Sequence, residues 1–178
     1  FLNLFMKTWT IDKSHSEVAF KIKHLVISTV RGNFKSFEGT MATIDDTFND
    51  AVIKFSADVA SINTGETNRD NHLQQGDFFN TVEFPKITFV STKVIRSGYS
   101  LIITGDLTMK GATQSITLDG VVHGITSGMD GKRVVVITIE GTINRQDFGL
   151  TWNAALETGG VVVGDEVKFD IHIEAKES

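Results

Sequence analysis

Apolar and polar residues alternate with a period of two along most of the chain, the spacing expected of strands with one face on a core and one on solvent. From Glu17 to His24, one face carries Val18, Phe20, Ile22 and His24 and the other carries Glu17, Ala19, Lys21 and Lys23. Gly32 opens a second segment, in which Phe34, Phe37, Met41 and Ile44 change parity between Phe34 and Phe37, predicting a bulge or bend there. A third strand is expected over Ala51 to Ile62, with Ile53, Phe55, Ala57 and Val59 opposed to Lys54, Ser56 and Asp58. Asn63 to Asn80 then breaks the rhythm: it is polar, holds Gly65 and Gly76, and has Leu73 as its one large aliphatic residue before Phe78 and Phe79. This stretch predicts a loop with a short helix starting at Thr67 or Asn68, whose side-chain oxygen would cap the free N–H groups. Pro85 stands just ahead of a strand from Ile87 to Ile95, where its missing N–H costs little.

Four more strands are expected, over Tyr99 to Met109, Gln114 to Ile125, Arg133 to Arg145 and Glu166 to Ala175. Turn residues separate them: Ser97-Gly98, Lys110-Gly111, Met129-Asp130-Gly131 and Gly159-Gly160. Eight antiparallel segments on short connections predict an all-β, up-and-down barrel, because closing the sheet removes its exposed edges. A two-sheet sandwich fits the same pattern.

Composition supports strands. The 178 residues include 17 Val, 17 Ile and 20 Thr against 9 Leu and 9 Ala, and branching at Cβ suits a pleated surface better than a helix. With no Cys, disulfides, thiolate metal sites and cysteine nucleophiles are excluded. A net charge of -5 without a Lys/Arg-rich run argues against nucleic acid. No apolar stretch approaches the roughly 18 to 20 residues of a membrane-crossing helix. Phe1 to Phe5 lack the basic leader and cleavage site of a signal peptide. Residues 1–6 are expected to be a tail and 7–178 the barrel domain. A native start at Met6 implies a cytoplasmic protein; a truncated targeting segment implies a periplasmic one.

The aromatic residues raise the question of what fills such a barrel. There are 13 Phe but 2 Trp and 1 Tyr, so most of the aromatic surface has no polar handle. Two readings stand: a core packed by its own side chains, or a tunnel for a long apolar ligand.

Polar residues also carry paired readings. Arg69 and His72, three apart in TNRDNHL, would share a helix face. Arg69 could meet an anionic headgroup, or join Asp70 in tying the helical insert to the barrel rim. In NRQDFGL, Arg145 and Asp147 suggest a barrel-closing salt bridge, with Phe148 inward and Gly149 in an unusual backbone conformation. Arg31 begins the second strand at a barrel mouth. His24 continues an apolar face and is either hydrogen-bonded in the core or in contact with a ligand. His15, His24, His72, His123 and His172 show no metal-ligand spacing. Asp45 and Asp46 read as a solvated turn, and enzyme signatures such as G-x-S-x-G or a P-loop are absent.

Six ordered fragments go further: WTIDKSHSEVAFKIKHL at 9–25, VRGNFKSFEGT at 30–40, TGETNRDNHLQQGDFFN at 64–80, FPKITFVST at 84–92, GDLTMKG at 105–111 and NRQDFGL at 144–150. Together they resemble the YceI-like family from Trp9 to Ala175. The resemblance implies an extended, lipocalin-like barrel of eight antiparallel strands with a short helical insert. It also implies homodimers and an interior tunnel for polyisoprenoid chains or related amphiphiles. On that reading Phe20, Ile22, His24, Phe34, Phe37, Phe55, Phe78, Phe79, Phe89, Ile103, Leu107 and Phe148 are expected to line the tunnel. Arg31, Arg69, His72 and Arg145 are the headgroup candidates. The expected protein is a non-catalytic binder, carrier or store of an isoprenoid quinone or polyprenyl phosphate or pyrophosphate, without metal or cofactor. The alternative is an enzyme acting on an amphiphile with His24 or His72 as general base.

Overall fold

The computed structural model describes residues 6–178; of the tail expected over residues 1–6, Phe1 to Phe5 lie outside them. Eleven strands and one short helix follow in order: β1 Lys7–Ile11, β2 Glu17–His24, β3 Ser28–Phe34, β4 Phe37–Thr43, β5 Val52–Asp58, β6 Ile62–Asn63, α1 Thr67–Leu73, β7 Lys86–Ser97, β8 Ser100–Met109, β9 Ala112–Ser127, β10 Arg133–Asn144 and β11 Val163–Glu177. Eight of them, β1-β4-β5-β7-β8-β9-β10-β11, form a ring that the β1–β11 ladder closes, with antiparallel pairing throughout. The fold is therefore the closed eight-stranded barrel, and the sandwich is excluded.

β11 makes the barrel longer than the ring. Its C-terminal residues Ala175 to Glu177 pair with β1, while Val163 and Val167 to His172 pair with β2. From β2 the sheet runs on through β3 to β6, where it ends. The β5–β7 ladder stops at Asp58 opposite Lys86. Above that level α1 and its flanking loop complete the wall.

This arrangement divides two of the expected strands. The parity change between Phe34 and Phe37 is a full break, since Ser36 N–H donates to Ser61 Oγ at 3.0 Å and Ser36 C=O accepts from Asp58 N–H at 2.9 Å. The segment expected from Gly32 onward is thus β3 followed by β4, and Ala51 to Ile62 is β5, a 3-10 turn at Val59–Ser61 and the start of β6. Strand β1 was not expected, because five residues are too few for a period to show. Helix α1 starts where predicted, but Glu66 caps it, accepting from Asn68 and Arg69 N–H at 3.1 and 2.7 Å.

The floor of the barrel is filled and latched. Trp9 and Phe48 are fully buried with ring centroids 5.8 Å apart, and Trp9 Nε1–H donates to Thr43 Oγ1 at 3.3 Å. Arg133 lies over the Trp9 ring at 5.5 Å and pairs with Asp46 and with Glu177, at 2.5 and 2.9 Å. Asp46 also takes Lys7 at 2.9 Å. Asp46 is the exposed turn residue expected, and it also pairs across the closing strands; the hydrogen bonds from Arg133 and then Lys7 hold its carboxyl below the ordinary range. Asp45 does sit in the turn, accepting from Thr47 N–H at 2.9 Å.

Candidate functional site

Above this floor the barrel is hollow. A cavity of about 560 Å³ runs up its axis, bounded by side chains from every strand of the ring and from β2, β3 and α1. Its walls are aliphatic and aromatic: Ile11, Met41, Ile53, Leu118, Ile137, Ile139 and Phe169 among them, with Met109, Phe79 and Leu150 toward the upper end. Inward parity explains the lining, because residues i and i+2 of each strand face the lumen. Large aromatic residues are fitted by small ones opposite. Phe20 pairs across the ladder with Gly32, where a Cβ would stand 2.5 Å from the Phe20 ring, so only glycine admits the ring against the wall.

Polar groups gather at the upper end. Arg69, Asn68 and His72 of α1 face the lumen there with Thr64, and so do His24 at the end of β2 and Trp152 from the loop before β11. Arg69 Nε–H donates to Thr64 Oγ1 at 2.7 Å and an Nη–H to Thr64 C=O at 2.8 Å, while Asp70 accepts from Thr64 N–H and Oγ1–H at 2.9 and 2.6 Å. Arg69 and Asp70 therefore both tie α1 to the residue after β6, leaving further guanidinium N–H groups at the mouth. The His72 ring meets Phe78 and Trp152 edge-on at 5.0 and 5.1 Å, and its Nε2 lies 3.0 Å from Asp77.

Of the residues expected on the lining, Phe20, Ile22, His24, Phe34, Phe55, Phe78, Phe79, Phe89, Ile103 and Leu107 border the cavity. Phe37 does not. The β3–β4 break turns it into a side cluster with Val18 and Ala57, where it stacks on Phe55 at 6.2 Å. Phe148 is buried in the 3-10 turn after β10 and packs in the main core, outside the lumen. Arg31 alternates with the inward Val30 and is exposed on the outer face of β3.

Arg145 borders the cavity, but its donors are committed elsewhere. Only 2% exposed, it donates through Nε–H to Gly164 C=O at 2.8 Å, through Nη1–H to Leu150 C=O and through Nη2–H to Val163 C=O at 3.4 Å. Its acidic neighbour is Asp165 at 3.7 Å, not Asp147. The expected salt bridge is thus a clamp on the backbone of the mouth loop. Gly149 has the unusual conformation expected of it, with φ of 74°. Trp152, Trp9 and Ile11 were missed as lining residues, the first in a segment without periodicity and the others in the unread β1; Met41, Ile53, Leu118, Ile137, Ile139 and Phe169 lie within the expected strands but were not named either.

A second cluster, at the β1–β2 corner, brings Asp12, His15 and Glu174 together. Its charges are already answered, since Lys176 lies 3.6 Å from Asp12 and His15 Nδ1 lies 2.9 Å from Asp12. Hydrogen bonds from Ser14 and then His15 hold the Asp12 carboxyl far below its ordinary 3.8. The bond to Asp12, then its charge, raises His15 above 6.5. Stability from Asp12 is complete above pH 3.8 and is lost as pH falls toward its depressed value; stability from His15 is complete below pH 6.5 and is lost as pH rises through its raised value. The pair therefore helps most between pH 3.8 and 6.5. In Asp12→Asn, the NMR titration midpoint of His15 is expected to fall back toward 6.5; an unmoved midpoint contradicts the pairing.

Similarity to known proteins agrees with this architecture. The YceI-like domain model matches residues 9–175. A UPF0312 protein of Staphylococcus aureus is 43% identical over 173 residues, covering 95% of this chain and 97% of the relative. The crystal structure of a Campylobacter jejuni YceI protein matches with TM-score 0.73 and 35% identity, over 94% of this chain and 96% of that one. In fold alone, the chain is similar to Burkholderia cenocepacia BcnA, with TM-score 0.80, 23% identity and coverage of 92% and 98%. The same holds for a polyisoprenoid binding domain from Saccharophagus degradans, with TM-score 0.69, 14% identity and coverage of 96% and 98%. With a family model spanning nearly the whole chain and a relative at 43% identity, this chain belongs to the YceI-like family.

Proposed function

We propose that this protein binds and carries a long-chain isoprenoid lipid, with the chain in the barrel and the polar end at the mouth, and does not change it chemically. The observation that carries this reading is the cavity of about 560 Å³, apolar along its length and polar at one end. The fold likeness to a polyisoprenoid binding domain supports it. Arg69 and His72, which border the cavity at its polar end, are the proposed contacts for a polyprenyl phosphate or pyrophosphate, or for the carbonyls of an isoprenoid quinone. A guanidinium suits either acceptor.

Magnitudes favour binding. At about 0.8 kcal/mol per buried CH₂, one five-carbon unit contributes roughly 4 kcal/mol, so two to four units, at about 8 to 16 kcal/mol, are of the size of an association cost of about 4 to 15 kcal/mol. If a carbon group fills about the ~30 Å³ of a water molecule, a five-carbon unit needs ~150 Å³ and the cavity holds about four units. Affinity is expected to climb with chain length up to about four units and then level off, because further units remain outside. Titrating a series of fluorescent polyprenyl phosphates measures this, and one length bound with its longer neighbours rejected contradicts it.

The decisive experiment is native mass spectrometry of the purified protein, followed by organic extraction. An intact isoprenoid lipid is the expected content. A chemically altered one points to catalysis, and a protein that is empty and takes up no labelled polyprenyl chain overturns the proposal.

A further inference from the structure

The turn from β2 to β3 is built against the usual rules for turns. His24 pairs with Ser28, and between them Leu25 and Val26 take φ values of 53° and 68°. Left-handed backbone is uncommon outside glycine, asparagine and aspartate, and for a β-branched residue it is an outlier. The chain nonetheless places three aliphatic residues here, with Leu25, Val26 and Ile27 exposed by 44, 56 and 89%. Surrounding contacts impose the conformation. Leu25 N–H donates to Val162 C=O at 2.9 Å, and Val26 Cγ2 occupies the space a side chain on Gly160 would need, 2.7 Å from its Cβ position. Exposed Val161 extends the same apolar tip. Strain of this kind persists where the surroundings over-determine it, and it concentrates at functional surfaces.

Charge supplies an independent observation. Arg31, Lys21 and Lys168 stand directly opposite one another on β3, β2 and β11. Like charges opposed across strands destabilise a sheet. From Val18 to Phe37 the chain has Lys21, Lys23, Arg31 and Lys35 and no acidic residue, although its net charge is -5. Among the described residues none of these four forms an ion pair, while Lys168 reaches Glu166 at 3.6 Å. Lys23, Lys21 and Arg31 therefore lie without partners on the two strands that lead to the apolar tip, while Lys35 follows the far end of β3. His24, on the cavity, adjoins Leu25, so tip and mouth are continuous.

We propose that this end of the barrel docks on an anionic lipid bilayer: Leu25, Val26, Ile27 and Val161 enter the boundary between headgroups and acyl chains, and Lys21, Lys23 and Arg31 lie on the phosphates. An aliphatic edge bordered by cations is the pattern of interfacial membrane binding. A second copy of the chain fits this face less well, because a two-fold contact sets the patch against itself and brings the unpaired cations together. The docking geometry stands on its own observations; its purpose, opening the mouth against the bilayer that supplies the chain, rests on the carrier function proposed above.

Flotation of the full chain with vesicles tests it. Binding is expected to phosphatidylcholine vesicles containing phosphatidylglycerol, not to phosphatidylcholine alone, and is expected to weaken on the anionic vesicles in 0.5 M salt, where screening is nearly complete. Lys21→Gln and Arg31→Gln are each expected to weaken binding about fivefold. Ile27→Ser should weaken it as well, at unchanged melting temperature. Uptake of a labelled polyprenyl chain from detergent, measured on the same variants, separates the two proposals. Vesicle binding without uptake defeats the carrier function alone, and uptake with no vesicle binding overturns the docking surface. A dimer that Ile27→Ser dissolves while vesicle binding is unaffected assigns the face to a second copy and overturns it too.

Discussion

Replacing Ile139 by tryptophan is expected to abolish uptake of a polyprenyl chain while leaving the protein folded. Ile139 sits midway along β10, opposite Gly120 on β9 and Ile171 on β11, and borders the cavity. It is part-buried because its free side faces the lumen, so an indole can extend into empty space instead of displacing packed neighbours. Overpacking costs of about 1 to 3 kcal/mol arise where no such space exists. An indole across the tube removes the room above or below it for two or more isoprene units. At roughly 4 kcal/mol per unit, the loss exceeds a hundredfold in affinity. Ile139→Val, which keeps the bore open, is the control. Binding of the tryptophan variant at unchanged affinity would show that the chain is held somewhere other than the lumen.

The second large effect is on stability. Arg145→Met is expected to cost about 3 to 5 kcal/mol, because an unsatisfied buried acceptor costs about 1 to 3 kcal/mol and three carbonyls lose one charged donor. Methionine matches much of the arginine stem, so the loss isolates the guanidinium. Without it the carbonyls of Leu150, Val163 and Gly164 lose their donor together. Burial lowers the pKa of Arg145 and the neighbouring Asp165 partly offsets this; the group remains a cation at neutral pH. At about 2 to 4 °C per kcal/mol for a chain of this size, the melting temperature should fall by about 10 °C. Arg145→Lys should recover only part of it, because an ammonium cannot span the three carbonyls as the planar fork does. A fall of under about 2 °C in calorimetry for the methionine variant would show that the loop holds without the clamp.

Most of the barrel was legible because period-two alternation is imposed by geometry: a strand facing a core must alternate, and β2 and β7 to β10 do so over long runs. Pairing partners are not encoded that way. The division of one apparent strand into β3 and β4, and of another into β5 and β6, depends on β11 offering one edge to both β1 and β2. Site residues follow the same limit. Alternation says that Phe37 and Phe89 both point inward, but not how far up the barrel each lies. Only the three-dimensional path shows Phe89 on the lumen and Phe37 in a side cluster. Arg145 was misread for another reason: its partners are backbone carbonyls, which every residue has, so nothing in the sequence marks them. That Arg69 and His72 share a helix face was legible from their spacing of three, whereas Trp152 lies in an irregular loop where no period applies.

The double pairing of β11 also governs how the molecule comes to exist. Ser178 N–H donates to Thr8 C=O, and Trp9 stands opposite Glu177, so the ring closes between segments almost a whole chain apart. Contacts of such long sequence separation are the slow ones in folding, since loop-closure entropy precedes their reward. On the ribosome, β1 to β10 must wait for β11 with β1, β2 and β10 as open edges and the apolar wall facing water. The lumen has no existence until that last strand of the ring is in place, which makes the interval before closure the one in which this chain is most exposed to aggregation.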